Sequence, residues 1–147
     1  MKSRGLLNSN LLAVIARLGH GDMLTITDGG FPFPLHTRTE TIDLSIIKNL
    51  PHFLDVLKPV IEEMELERVI IAQETKTENP QIHDKLIDIV GKKENKGQKI
   101  KIDYITHQEF KTLILYGVEK GKPIVCMVRT GEFTPFANII LVAGVPF

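Results

Sequence analysis

The sequence lacks the features that mark several large protein classes. It has one cysteine, 18 basic against 18 acidic residues, and no apolar run near the roughly 20 residues that cross a bilayer. A single cysteine cannot form an internal disulfide, and a net charge of zero argues against binding to a nucleic-acid backbone. We therefore expect no nucleic-acid partner and no membrane span. A neutral ligand such as a sugar suits this charge balance.

Export signals and reactive cysteines are also not indicated. Asn8, Ser9, Asn10 and Arg17 interrupt the apolar stretch near the N-terminus, so we expect a cytoplasmic protein. Cys126 lies in an apolar run at 124–128, and we interpret it as a core thiol in a reducing compartment.

The common catalytic motifs are missing. There is no P-loop, no G-x-G-x-x-G after the first strand, no H-E-x-x-H, no paired cysteines and no nucleophile elbow. His20 and Asp22 could supply two metal ligands, but without a third they do not define a site, and we predict no metal and no cofactor. The candidates that remain are histidines and carboxylates at the ends of predicted elements. Of these, we interpret His36, His52 and His83 as solvated or capping residues.

Predicted strands and helices alternate along the chain, with no internal repeat. This alternation predicts a single α/β domain over residues 1–147, of the three-layer α/β/α, Rossmann-like class with a largely parallel central sheet. Helices are expected over 9–18, from Pro51 with a kink at Pro59, over 79–91 and from Thr106 to near Gly117; strands over 23–27, 41–44, 68–72, 100–105, 123–129 and 138–143. We interpret the stretch 92–99 as a solvated loop.

The chain is organised around residues 17–30. We expect the first helix to end on Gly19 as its C-cap, and residues 23–27 to form a buried strand. Asp28 then falls at the carboxyl end of this strand, which is the edge where open α/β sheets bind ligands. In the following loop, Phe31 and Phe33 either pack onto the core or line a ligand pocket.

Two histidines occupy opposite kinds of helix end. His20 follows a predicted helix C-terminus, which favours the imidazolium, whereas His107 begins a helix, whose amide end favours the neutral ring. We expect His20 to be a proton donor and His107 a neutral hydrogen-bonding group. The alternative is that both only satisfy backbone carbonyls.

Several segments together resemble the D-ribose pyranase family, the ribose and fucose mutarotases of bacterial sugar-utilisation operons. The resemblance runs through the whole chain to the closing residues 143–147. It rests on Leu7-Asn8-Ser9, Arg17-Leu18-Gly19-His20, Thr27-Asp28-Gly29-Gly30 before Phe-Pro-Phe-Pro, Thr106-His107-Gln108-Glu109-Phe110-Lys111, and Arg129-Thr130-Gly131-Glu132-Phe133-Thr134-Pro135-Phe136-Ala137-Asn138.

The resemblance implies a cofactor-independent isomerase that interconverts the pyranose and furanose forms of D-ribose. It implies that His20 is the proton donor and that the sugar binds at Asp28, His107, Phe136, Ala137 and Asn138. Asp28 would either orient His20 or hold sugar hydroxyls. It also implies a homodecamer of two stacked pentamers with sites at subunit interfaces.

The sequence departs from the family pattern in three places. Gly29 stands where the family usually has alanine, Phe136 replaces a tyrosine, and the segment 116–123 looks longer than usual. Phe136 keeps open a mutarotase for L-fucose or another aldose. A sugar-binding regulatory module without catalysis is the rival reading from a different class.

Overall fold

A mixed six-stranded sheet forms the centre of the computed structural model, which describes residues 1–35, 38–117 and 124–147. His36, interpreted as solvated or capping, lies outside these described residues, as does 118–123, most of the segment that looks longer than usual. The strands of this sheet are β1 (Met23–Thr27), β2 (Glu40–Asp43), β3 (Leu66–Ala72), β6 (Lys101–Ile105), β7 (Ile124–Arg129) and β8 (Ile139–Ala143). Two short strands, β4 (Glu94–Asn95) and β5 (Gln98–Lys99), form a separate hairpin.

The sheet is largely parallel, as predicted. Its strand order is β2-β7-β1-β8-β3-β6, and only β8 runs antiparallel to its neighbours. The carboxyl ends of the other five strands therefore share one edge with the start of β8. The residues before β1 and after β8 share the opposite edge.

Helices cover both faces of the sheet. They are α1 (Ser9–Arg17), α2 (Phe53–Glu63), α3 (Gln73–Glu78), α4 (Pro80–Gly91) and α5 (His107–Tyr116). Side chains of α1, α2 and α4 pack on one face, and Phe110 and Ile114 of α5 pack on the other with Phe31. The side chains on the face covered by α1, α2 and α4 form the first core, and those on the face covered by α5 form the second. Alternate residues of β1 point to opposite faces, so Leu24 and Ile26 belong to the first core and Met23 to the second. Burying one such side chain stabilises the fold by roughly 1.5–3 kcal/mol.

The elements differ from the sequence expectations at their ends. The first helix is capped by Leu18 in an extended conformation rather than by Gly19. A turn follows, closed by the Asp22 N–H donating to the Gly19 carbonyl at 3.0 Å, and Gly21 supplies its positive φ of 78°. The second long helix begins at Phe53 with His52 as N-cap, so Pro51 precedes it.

Three further expectations meet different outcomes. Helix α3 was not predicted, because its polar sequence has no apolar periodicity. The supposed loop 92–99 contains the β4–β5 hairpin, turned by Lys96 and Gly97 with positive φ. His83 is only 8% exposed and bonds the Tyr104 hydroxyl at 2.8 Å, so the surface assignment for it was wrong.

Cys126 is a core thiol, as expected. The residue is fully buried in the first core, and burial raises the pKa of its thiol to about 12. No helix within the described residues is long and apolar enough to cross a membrane.

Candidate active site

A cavity of about 380 Å³ opens at the edge where the parallel strands end. This is the edge at which α/β sheets bind ligands. The cavity is lined by the loop after β1, by the first turns of α5 after β6, and by the segment that joins β7 to β8. Lining residues with polar side chains or aromatic rings are Asp28, Phe31, His107, Lys111, Glu132, Phe133, Thr134 and Phe136.

Asp28 and Asn138 form a reciprocal pair at the base of this cavity. The Asn138 Nδ2 donates to Asp28 Oδ2 at 2.9 Å, and the Asp28 backbone N–H donates to Asn138 Oδ1 at 3.0 Å. Gly30 N–H adds a bond to Asp28 Oδ1 at 3.0 Å. Burial raises the pKa of the Asp28 carboxyl, and the bond from Asn138 opposes part of that rise. The pair fixes the direction in which the carboxylate faces the cavity.

His107 is the first residue of α5, and Thr106 caps that helix through the predicted capping box with Glu109. Its ring lies edge-on to Phe136, with centroids 5.0 Å apart, and to Phe31 at 6.4 Å. Burial and the Lys111 charge lower the pKa of His107, while Glu74 and Asp28 oppose that shift. The lowered pKa favours a neutral ring, and burial, not the helix amide end, is its main cause.

One ring nitrogen of His107, Nδ1, is buried and has no hydrogen-bond partner among the described residues. The backbone N–H of His107 donates to the Glu74 carboxylate at 2.8 Å, so α3 fixes the start of α5.

The segment before β8 is held in a strained shape. Phe136 has a positive φ of 64°, which costs a non-glycine residue about 1–2 kcal/mol. Its carbonyl accepts from the Thr75 hydroxyl at 2.9 Å, and the Pro135 carbonyl accepts from Asn79 at 3.1 Å. These bonds turn the Phe136 ring toward His107. Ala137, fully buried, lies behind the cavity wall.

His20 lies at the opposite edge of the sheet. Because β1 separates it from Asp28, the strand rise alone puts about 15 Å between them, so Asp28 does not orient His20 within one chain. The ring instead meets Glu67 of β3, with Nε2 and Oε2 2.6 Å apart. Both line a second cavity of about 260 Å³, bordered by the β4–β5 hairpin and Gly144.

The six predicted site residues therefore fall into three places. Asp28, His107 and Phe136 line the first cavity, Ala137 and Asn138 support it from behind, and His20 belongs to the other edge. Within the described residues, no group of three metal-ligating side chains is assembled.

Sequence reasoning missed four charged residues at these two edges: Lys111, Glu132, Glu74 and Glu67. Glu132 is 3% exposed and accepts from the Thr134 hydroxyl at 2.6 Å and from the His52 ring at 3.1 Å. Burial raises its pKa, but these hydrogen bonds outweigh burial and leave the pKa below the usual value. Glu74 could have been found, because it follows β3 at the same edge as Asp28.

Of the two loop aromatics, Phe31 is buried in the second core and also lines the cavity, so core packing and pocket lining are both true of it. Phe33 is 41% exposed and lies against the Arg129 guanidinium, 4.5 Å from the ring centroid.

A comparison with known proteins identifies the class to which this fold and cavity belong. The sequence profile of the RbsD / FucU transport protein family matches residues 1–146, so the chain belongs to that family. D-ribose pyranase of Aliivibrio salmonicida is 46% identical over the full length of both chains, and D-ribose pyranase of Actinobacillus pleuropneumoniae is 40% identical over the same span.

Solved structures share the fold of this chain. Bacillus subtilis RbsD, solved in complex with D-ribose, matches all of both chains with a TM-score of 0.84 and 40% identity. The fucose mutarotase of Streptococcus pneumoniae shares the fold alone, with a TM-score of 0.61 and 19% identity over 94% of this chain and 93% of that one.

Proposed function

We propose that the protein is a D-ribose pyranase, an isomerase that interconverts the pyranose and furanose forms of D-ribose. The observation that carries this proposal is the full-length likeness to an RbsD solved with D-ribose, together with a cavity at the edge where the parallel strands of this chain end. The whole chain is proposed to act as one domain.

The chemistry needs an acid, a base and groups that hold hydroxyls. Opening the hemiacetal requires a proton on the ring oxygen and removal of the anomeric hydroxyl proton; the aldehyde then recloses through another hydroxyl. His20 is the proposed acid, and Asp28 and His107 hold the hydroxyls. The His107 ring lines the cavity, where an imidazole nitrogen suits a sugar hydroxyl. Phe136 and Phe31 provide apolar faces for the ring carbons.

Asn138 acts mainly through Asp28 in this proposal. It is 1% exposed, and both of its amide atoms bond Asp28. Ala137 contributes the tight packing that brings Phe136 and Asn138 to adjacent positions.

In this proposal, assembly of several copies brings opposite sheet edges of different chains together. Since His20 and Asp28 cannot meet within one chain, the His20 edge of one copy is proposed to close the Asp28 cavity of another. The homodecamer of two pentamers implied by the family resemblance, and a cytoplasmic location, are parts of this proposal.

The test is NMR saturation transfer on D-ribose at equilibrium, repeated with L-fucose. The expected result is faster pyranose–furanose exchange on ribose, reduced about 10²–10⁴-fold in His20→Ala, which corresponds to roughly 3–5 kcal/mol. Acceleration of fucose alone would change the substrate. Binding without acceleration of either sugar would favour a sugar-sensing module and refute the proposal.

A further inference from the structure

The pair formed by His20 and Glu67 is built into the fold rather than left to two mobile surface chains. Glu67 is the second residue of β3, next to Leu66, which pairs with Ala143 of β8. The Gly21 N–H, directly after His20, donates to the Ala143 carbonyl at 2.8 Å. The end of one strand therefore fixes the backbone on both sides of the pair.

The hairpin braces the same place from the other side. Asn95 donates to the Leu66 carbonyl at 2.8 Å, and the Gly144 N–H donates to the Glu65 carbonyl at 2.8 Å. A Cβ on Gly144 would lie 2.4 Å from the Asn95 amide nitrogen and 3.0 Å from the Glu67 nitrogen, so a side chain there would displace Asn95 and crowd the backbone of Glu67.

We propose that Glu67 is a positioning residue for the reaction, holding the His20 ring through its Nε2–H. This inference rests on the proposed function and adds a residue to it. An ionised carboxylate only accepts hydrogen bonds, so the 2.6 Å contact places a hydrogen on Nε2. The bond fixes the plane and the tautomer of the ring, as carboxylates do beside catalytic histidines.

The proton balance follows from this arrangement. With Nε2–H bonded to Glu67, the proton delivered to the ring oxygen of the sugar is the one on Nδ1 of His20. The anomeric hydroxyl gives up its proton to the Asp28 carboxylate, which lines the cavity, as the ring C–O bond breaks and the aldehyde forms. Reclosure reverses these transfers at a different hydroxyl, and His20 returns to its starting state.

The ion pair contributes little to the free energy of unfolding, so a positioning role in the reaction can be distinguished from a structural role. The side chains of His20 and Glu67 are 63% and 44% exposed, and exposed ion pairs typically contribute about 0–1 kcal/mol. Loss of Glu67 should therefore appear in kcat and leave folding nearly unchanged.

The experiment compares wild type, Glu67→Ala and Glu67→Gln in the ribose exchange assay, with thermal unfolding followed in parallel. Asp88→Ala is the matched control, because it breaks another exposed 2.6 Å ion pair, that with Lys92, away from both cavities. Each protein is assayed in sodium formate and in sodium chloride at equal ionic strength.

We expect Glu67→Ala to lower kcat about tenfold or more while KM stays within about twofold, and formate to restore part of the loss by occupying the vacated carboxylate position. Glu67→Gln keeps an accepting oxygen, so its kcat should lie between those of wild type and Glu67→Ala. If the alanine variant does not fold, the glutamine variant tests the role of Glu67. Asp88→Ala should match wild type in both salts.

Two results would overturn the inference while wild type remains active: kcat within twofold of wild type in both Glu67 variants, or a loss that formate does not change. An inactive wild type would instead refute the proposed function itself, and the role of Glu67 with it.

Discussion

Replacing Asn138 by alanine tests how the ligand cavity is held together. The change removes the Nδ2 donor to the Asp28 carboxylate and the Oδ1 acceptor of the Asp28 backbone N–H. A hydrogen bond to a charged group contributes about 1.5–3 kcal/mol, and an orphaned buried donor costs about 1–3 kcal/mol. Because Asp28 is only partly buried and water can reach its carboxylate, we expect a loss of about 2–4 kcal/mol near pH 7.

The loss should depend on pH in a defined direction. Burial already raises the pKa of Asp28, and removing Asn138 removes the main opposing hydrogen bond, so the pKa rises further. A carboxyl whose folded pKa exceeds its unfolded value loses native stability as the pH rises through that window. The alanine variant should therefore be closer to wild type near pH 4 than near pH 7.

Urea unfolding at both pH values and carboxyl ¹³C NMR of Asp28 measure these effects. The control is Thr75→Val, which removes the bond to the Phe136 carbonyl in the same segment without touching Asp28. It should cost about 1 kcal/mol at either pH. An Asn138→Ala protein as stable as wild type, or one with an unmoved Asp28 pKa, would refute the reasoning.

Three further perturbations have defined outcomes. Lys111→Met should raise the pKa of His107 and Glu74→Gln should lower it, since the two charges act in opposite directions; imidazole NMR titration measures both, and shifts of the same sign would contradict the account. Gly131→Ala would put a Cβ 2.4 Å from a backbone carbonyl oxygen, and urea unfolding should show about 1–3 kcal/mol of destabilisation. A hydrogen bond from Arg129 lowers the pKa of Asp43 to about 2, so the stability that this pair contributes is present above pH 4 and lost as the pH falls through about 2. Asp43→Asn should lower the free energy of unfolding by about 1 kcal/mol at pH 6. An unchanged acid-unfolding profile in this variant would argue against the pair.

The sequence was sufficient where local chemistry determines the structure. The apolar run of β1 and the Thr106–Glu109 capping box each predict their element without help from distant residues. Asp28 was expected at the edge where parallel strands end. The structure brings His107 and Phe136 to the same cavity, because loops leaving parallel strands emerge together.

What the sequence could not supply depends on distant contacts. Helix α3 has no apolar periodicity, and tertiary bonds such as Thr75 to the Phe136 carbonyl fix its place in the fold. Glu67, which contacts the His20 ring, is 47 residues away on another strand, so no local pattern indicates it. The pKa of His107 likewise depends on burial, which only the assembled cavity produces.

The most direct test of the central claim uses two inactive variants. His20→Ala and Asp28→Asn are each expected to lose ribose exchange activity, and they are then co-assembled in equal amounts by joint unfolding and refolding. If each site takes His20 from one copy and Asp28 from another, about a quarter of randomly formed sites are intact, and about a quarter of wild-type activity returns. A mixture as inactive as either variant alone, with refolded wild type active, would contradict a site shared between copies.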